Sequence, residues 1–331
     1  NAQSMKFRAK APQQVLKEIA DLSQRYDAVR FRLVDNIIDM AYIDNLFGKL
    51  AEDHCDLDVF IETKSNLQKR QIKTLAAGGV KCMQPGLESL SVNQLRAMDK
   101  GVTPMQNIIC LKWSLYYHVM VSWNILLGFP GETNEDYQRQ LDLIPSLLHL
   151  QPPEATGKFW LQRFSPYFTR PHEYGIRIAG PGMAYEYVYD ARQVDLEKIA
   201  YDFEYELDNW PVDPHLYQEL VAAIEGWQRM HKSGDRPFLY YSKAPNYVTV
   251  YDGRNLKTPT RRRHEGLAAL VIEACNESAK GVVQIRAVLA GKTNCDDAIL
   301  LPILSELTAQ RVLYEERGKY FTLAIPENPY L

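Results

Sequence analysis

Between residue 10 and about residue 165, short strand-like runs take turns with longer stripes at helical spacing, and this rhythm restricts the fold most. The strand-like runs are Ala28 to Leu33, Asp58 to Ile61, Val80 to Met83, Val121 to Leu127 and Phe159 to Phe164. Between them lie apolar stripes with a three-to-four-residue period. One carries Val15, Leu16, Ile19 and Leu22 behind Pro12, which suits a first helical turn. A second carries Met40, Ile43, Leu46, Phe47 and Leu50, and further stripes cover Leu67 to Ala77, Val92 to Met98, Pro104 to His118 and Asn134 to Leu150. Five strands separated by helices predict βαβ units and a parallel sheet, because parallel neighbours need a long crossover. The series opens on a helix, so the strand expected ahead of Pro12 is absent from the sequence.

Composition bounds the partners. With 331 residues the chain can bury one large core or two ordinary ones. A net charge of −3 provides no global basic field, so neither nucleic acid nor membrane is expected as a partner. No run of 18 apolar residues and no signal peptide is present, and a cytoplasmic location is expected. The five cysteines, Cys55, Cys82, Cys110, Cys275 and Cys295, share no metal-ligand spacing, and their odd number argues against a secreted disulfide framework. The histidines form no HxxxH or HExxH pair, which argues against a zinc hydrolase.

Beyond Pro166 the pattern changes. Loops rich in Pro, Gly and Tyr run to about Tyr201; Val194 to Leu207 and His215 to Lys232 read as helices, and Phe238 to Asp252 as a hairpin. Arg254 to His264, with Arg261-Arg262-Arg263, reads as a solvated linker. Helical stripes over Leu267 to Ala274, Val282 to Leu289 and Ala298 to Gln310 then precede a hairpin about Glu316-Arg317-Gly318, which is the order of a winged helix. The expected divisions are 1–180, 181–253 and 254–331. The third helix of the last unit, Ala298 to Leu307, has no basic face for reading DNA, so the unit is expected either to add a peptide strand to its edge or to serve as plain structural support.

In parallel α/β folds, reactive groups collect at the carboxyl ends of the strands. Following the strands in order stand Asp35 and Asn36, then Glu62 and Lys64, then Gln84-Pro85-Gly86-Leu87-Glu88-Ser89. Asn124 lies within the fourth, with Gly128-Phe129-Pro130-Gly131-Glu132-Thr133 at its end, and Gln162, Arg163 and Tyr167 accompany the fifth. Polar residues at every strand end predict a polar ligand site. Gly128 and Gly131 permit close backbone approach, and Thr133 with Asp136 starts the next helix as a capping box with Asp in place of Glu.

The succession Asp35-Asn36-Ile37, Glu62-Thr63-Lys64-Ser65-Asn66-Leu67, Gln84 to Ser91, Met98-Asp99-Lys100-Gly101-Val102-Thr103 and Trp123 to Glu132 resembles cobalamin-dependent radical SAM enzymes, specifically the C-methyltransferases that mature ribosomally made peptides. The likeness spans residues 1 to about 180. It implies an α/β fold, a partial (βα)6 TIM-like barrel, followed by an α+β region (181–253) and the winged-helix-like end (254–331). It implies S-adenosylmethionine, a [4Fe–4S] cluster and cobalamin as cofactors, and a precursor peptide and an electron donor as partners, the peptide docked on the winged-helix-like unit. Carried residue by residue, it places Asp35, Asn36, Glu62, Lys64, Gln84, Glu88, Asn124, Gly128, Gly131 and, more loosely, Arg163 at the cofactor site, and it assigns no catalytic residue. The family's cluster-binding CxxxCxxC triplet is missing. Since the chain opens Asn1-Ala2-Gln3-Ser4 without an initiator methionine, the expectation is a truncated, inactive piece that starts just after the cluster loop, its cluster cysteines upstream of Asn1. The alternatives are another radical SAM reaction on the same scaffold, or a degenerate, non-catalytic peptide-binding relative.

Overall fold

The parallel sheet is assembled in chain order. A computed structural model describes residues 7–208, 210, 212–293 and 295–328. Helix α1 (Pro12–Tyr26), with Pro12 in its first turn, leads to β1 (Arg30–Arg32). A π-helical segment (Ile43–Phe47) running into α2 (Gly48–Glu52) precedes β2 (Asp58–Glu62), and α3 (Lys69–Ala77) precedes β3 (Val80–Gln84). Helices α4 (Val92–Ala97) and α5 (Pro104–Tyr116) lead to β4 (Met120–Val121) and β5 (Asn124–Leu127), and α6 (Asn134–Leu147) to β6 (Ala155–Lys158).

Strands β1 to β4 pair parallel in that order, and β5 pairs parallel with β6. Two contacts join these pieces: the Ser122 N–H donates to the Met83 carbonyl at 2.9 Å, and the Leu126 N–H to that of Glu88 at 2.9 Å. Residues 120–127 therefore act as one interrupted strand. Val59, Ile61, Met83, Val121, Trp123, Ile125 and Leu127 turn to the face that shares one core with Phe47, Ile72, Ile108 and Leu147 of the helices. Alternation sends the intervening side chains to the other face.

The fifth predicted strand is displaced. The parallel strand is Ala155–Lys158, just ahead of the predicted Phe159 to Phe164, and its small and polar residues carry no apolar alternation to reveal it. Phe159 and Leu161 instead join a second, smaller core with Phe129, Ile176, Ala200 and Phe203. This core lies beside an antiparallel sheet of β7 (Leu161–Gln162), β8 (Ile176–Pro181) and β9 (Asp202–Leu207). The helix expected over Val194 to Leu207 is only a single turn, Leu196–Ile199. Asp202-Phe203-Glu204-Tyr205-Glu206-Leu207 alternates with period two and forms β9. The division at 180/181 thus falls inside β8.

The predicted hairpin forms as β10 (Leu239–Ala244) and β11 (Tyr247–Asp252), but the predicted linker does not. Thr260–Glu265 is strand β12, antiparallel to β11, with the Arg263 guanidinium 3.8 Å from the Tyr247 ring centre. Arg254 is buried and donates to the carbonyls of Ser146 at 3.0 Å and Arg311 at 2.8 Å, so this segment ties both halves together. Helices Gly266–Ala274, Val282–Leu289 and Asp297–Ala309 follow the predicted stripes, with β13 (Lys280–Gly281) after the first. They end in the hairpin of β14 (Leu313–Glu316) and β15 (Lys319–Thr322), the sheet order being β13-β15-β14. A last strand, β16 (Ile325–Pro326), returns to pair with β10. Lys112 of α5 is fully buried and donates to Asn276 Oδ1 and to the Thr322 carbonyl, each at 2.7 Å, fixing this unit to the parallel sheet's helices. No helix among the described residues is long and apolar enough to cross a membrane.

Candidate functional site

The turn after β5 is held by a buried carboxylate. Gly128 and Gly131 both adopt positive φ, +89° and +84°, a region that favours glycine. Glu132, 2% exposed, accepts hydrogen bonds from the Gly128 N–H at 2.9 Å, the Tyr137 hydroxyl at 2.6 Å and Gln94 Nε2 at 2.9 Å. Burial pushes its carboxyl above the ordinary range, against the hydrogen bonds it accepts. The capping box forms as predicted: the Asp136 N–H donates to Thr133 Oγ1 at 3.3 Å and the Thr133 N–H to Asp136 Oδ2 at 2.9 Å.

The same carboxylates reach the loop after β3. Asp136 accepts from Ser91 Oγ at 2.6 Å and Asn93 Nδ2 at 2.8 Å. Gln94 Oε1 accepts from Ser89 Oγ at 2.5 Å and from Gln140 Nε2 at 3.1 Å. Two strand exits that lie far apart in sequence are thereby clamped into one polar unit. Glu88, at φ +57°, sits in this loop; its backbone bridges to Ile125 and its carboxylate meets Lys100 Nζ at 2.5 Å.

The other predicted residues occupy the outward sheet face and its rim. Glu62 and Gln84 are register partners and therefore point the same way. Asn124 stands two residues beyond Ser122 on the same face, with Val121, Trp123 and Ile125 buried on the opposite one. Lys64, Asp35 and Asn36 are exposed in the loops after β2 and β1. Sequence reasoning missed Arg30 and Arg32 on this face: Arg30 lies 3.5 Å from Asp58, and the Arg32 guanidinium 4.6 Å from the Phe60 ring centre. The register of β1 with β2 reveals them; the strand alone does not. A parallel sheet ordinarily has both faces covered by apolar packing. Here one face is packed and the other presents Arg32, Glu62, Gln84 and Asn124 beside the half-buried Phe60 and Cys82 and the exposed Met120, so it can hold a ligand with both polar and apolar parts.

Arg163 belongs elsewhere. Its guanidinium donates to the carbonyls of Ala200, at 2.6 Å, and Glu197, and lies 4.9 Å from the Phe203 ring centre, pinning the antiparallel sheet. The close approach anticipated at Gly128 is made by Trp210: a Cβ on Gly128 would stand 2.9 Å from the indole. Beside this contact opens a cavity of about 910 Å³, walled by Phe159, Trp160, Tyr205 and Trp210.

The thiols do not fit an iron–sulfur cluster, which needs several convergent thiolates. Burial pushes the Cys110 and Cys275 thiols up to about 12. Among the described residues no three His, Cys, Asp or Glu side chains are grouped to hold a metal ion.

No protein-family profile matches the chain. The uncharacterized methyltransferase PH0819 of Pyrococcus horikoshii is 20% identical over 164 residues, 47% of this chain and 36% of that protein. A structure of the radical S-adenosylmethionine methyltransferase TsrM from Kitasatospora setae, with cobalamin and a [4Fe–4S] cluster bound, superposes with a TM-score of 0.47 at 15% identity, covering 66% of this chain and 46% of that one. The cobalamin-dependent S-adenosylmethionine radical enzyme OxsB, with aqua-cobalamin bound, gives 0.47 at 13% identity over 60% of this chain and 35% of that one. Coproporphyrinogen III oxidase (HemN) of Escherichia coli, a radical SAM enzyme, gives 0.34 at 13% identity over 94% and 79%. The chain spans about a third of the length of the curated relative and less than half of TsrM and OxsB.

Proposed function

We propose that this chain provides the nucleoside-binding sheet and the C-terminal unit of a cobalamin-dependent radical S-adenosylmethionine enzyme that methylates an unactivated carbon of a ribosomally made peptide. The observation that carries the reading is the exposed face of the parallel sheet, on which Arg32, Glu62, Gln84 and Asn124 stand beside Phe60 and Cys82, flanked by a turn already held rigid by Glu132. Had apolar side chains filled that face, the reading would have no site. The ordered motifs quoted above support it, and so does the similarity to a protein named as a methyltransferase.

In this reading the sheet is one wall of a partial (βα)6 barrel. Glu62, Gln84 and Asn124 line the cofactor from the sheet, Asp35, Asn36, Lys64 and Glu88 from the rim, and Gly131 from the turn, while Gly128, covered by Trp210, shapes that turn from beneath. S-adenosylmethionine and methylcobalamin, when bound, supply the radical and the transferable methyl group, so the protein's part is to bind, orient and exclude water. Glu132 holds the Gly128 N–H in place before any ligand arrives, which lowers the cost of ordering the site on binding. Trp210 shields the same backbone from solvent. The described thiols offer no cluster site, so this reading takes the cluster ligands, and with them the corrinoid-binding residues, to be supplied from elsewhere. The helix–strand–helix–helix–hairpin order of residues 266–322 supports a winged-helix-like unit that receives the precursor peptide, and an electron donor completes the set of partners.

The missing thiolate set also favours a second reading, a non-catalytic peptide-binding relative. One experiment separates the two. The protein, expressed with its upstream coding sequence, reconstituted anaerobically with iron, sulfide and hydroxocobalamin and supplied with a low-potential reductant such as dithionite, is expected to cleave S-adenosylmethionine to 5′-deoxyadenosine and to retain corrinoid. With its peptide it yields a product heavier by one methylene. Cleavage without corrinoid retention points to a different radical reaction, and a protein that does neither is the non-catalytic relative.

A further inference from the structure

A groove of about 1140 Å³ runs between the starts of α3 and α5 on one side and the β14–β15 hairpin with the segment leading to β13 on the other. Its lining reverses the sign of the chain as a whole. Five cations, Lys69, Arg70, Lys73, Arg317 and Lys319, face two carboxylates, Glu277 and Glu316, in a protein of net charge −3. Two of the cations are engaged: Lys69 with Glu277 at 2.7 Å, and Arg70 with Asp44, outside the groove, at 2.9 Å. Lys73, Arg317 and Lys319 are exposed and have no ion-pair partner among the described residues.

We propose that this groove docks an acidic peptide segment supplied by another molecule. Three unpaired cations, contributed by a helix of the parallel sheet and by the hairpin, surround a channel with room for a chain. Glu316 is itself engaged, accepting the Met105 N–H at 2.6 Å in the first turn of α5, so recognition of acidic side chains falls to the three cations. Strand β13, reached through Ser278 and Ala279 of the groove, is an edge strand of its sheet, able to pair with an extended backbone while the cations select its side chains. Glu277, two-thirds exposed at its side chain, would meet a continuous phosphate backbone unfavourably, which argues for spaced carboxylates over nucleic acid. The inference names a docking surface for the precursor peptide and rests on that reading for its biological occupant.

The test needs no cofactor, so its failure is distinct from failure of the radical reading. A fluorescein-labelled peptide of alternating Glu and Ala is titrated with the full chain and binding is read by anisotropy. Its counterpart with Gln in place of Glu is expected to bind at least about tenfold more weakly, and binding of the Glu peptide is expected to fall with salt. The variant Lys73→Glu/Arg317→Glu/Lys319→Glu is expected to lose about tenfold or more, while Arg170→Glu/Arg192→Glu/Lys198→Glu, with the same change in net charge elsewhere, retains binding. Circular dichroism checks that both variants are folded, and the milder Lys73→Gln/Arg317→Gln/Lys319→Gln replaces the first if it is not. Equal binding of the Gln peptide, equal loss in the two charge-reversed variants, or displacement of the peptide by single-stranded DNA at lower concentration overturns the proposal.

Discussion

The exits of β3 and β5 and the exits of β1 and β2 border one sheet, yet they are built on opposite principles. At β3 and β5, buried polar side chains consume one another's hydrogen-bonding capacity: Glu132, Gln94, Ser89 and Gln140, joined through Ser91 to Asp136, form a connected set under the backbone of Gly128 and the Glu88 loop. At β1 and β2, Asp35, Asn36 and Lys64 stand in solvent, and the chain is ordered by backbone bonds, such as that from the Ile38 N–H to the Glu62 carbonyl at 2.9 Å, and by the Asp39 carboxylate, which accepts the Ala41 N–H at 2.9 Å. The first region spends its polar groups on its own shape. The second keeps them available. A site made of both has one preformed side and one side that a ligand must organise, so mutations on the two sides should separate stability from binding.

The largest effect is expected at Glu132. Replacing it with Ala strands the Tyr137 hydroxyl, the Gln94 amide and the Gly128 N–H inside the fold, at a cost of about 3 kcal/mol, read as a lower urea midpoint. Glu132→Gln tests the charge separately. Because burial raises the folded carboxyl above its unfolded value, the folded state holds the proton more tightly. The stability contributed by this group is therefore fully present below the unfolded pKa and declines as pH rises through the raised value. Urea melts across that acidic window should show a smaller decline with pH in Glu132→Gln than in the native chain. An unchanged midpoint in Glu132→Ala would abolish the distinction between the two regions.

What the sequence disclosed follows the same division. The strand over residues 121–125 was legible because Val121, Trp123 and Ile125 alternate with Ser122 and Asn124, a pattern that exists only where one face is buried and the other is not, and β2 because Val59, Phe60 and Ile61 make a short apolar run between Asp58 and Glu62. The Thr133–Asp136 box was legible because both partners lie within one turn. The clamp between Glu132 and Gln94 was not, since its members are 38 positions apart and only the fold brings them together. Arg163 misled for a related reason: a cation near a strand end resembles a ligand group until the carbonyls of Ala200 and Glu197 are seen to occupy it. Arg261-Arg262-Arg263 read as solvated linker because charge runs usually are, yet pairing with β11 and stacking on Tyr247 and Tyr251 makes them a strand.

A middle-sized effect is expected where the fixed side meets the cavity. Gly128→Ala places a methyl group 2.9 Å from the Trp210 indole and on a backbone at φ +89°, and is expected to cost about 1–2 kcal/mol. The two causes are separable in a double-mutant cycle. Trp210→Ala removes the clash and leaves the dihedral strain, so the double variant should recover part of the loss beyond additivity. Simple additivity would mean that the indole yields freely and does not shield the turn.

The smallest change in stability, and the sharpest test of what the open side is for, is expected at the rim. Lys64→Gln and Asn124→Ala remove exposed side chains for which no hydrogen bond or ion pair is described, so each should shift the unfolding free energy by no more than about 0.5 kcal/mol. If these residues line a cofactor, the full-length reconstituted protein carrying either change should nonetheless bind S-adenosylmethionine several-fold more weakly in calorimetric titration, because each lost polar contact to a bound ligand is worth about 1 kcal/mol. Weaker binding at unchanged stability is the signature of groups held free for a ligand. A loss of stability of more than 1 kcal/mol would mean the rim is packed as tightly as the Glu132 clamp, and normal binding in both variants would move the ligand off this face of the sheet.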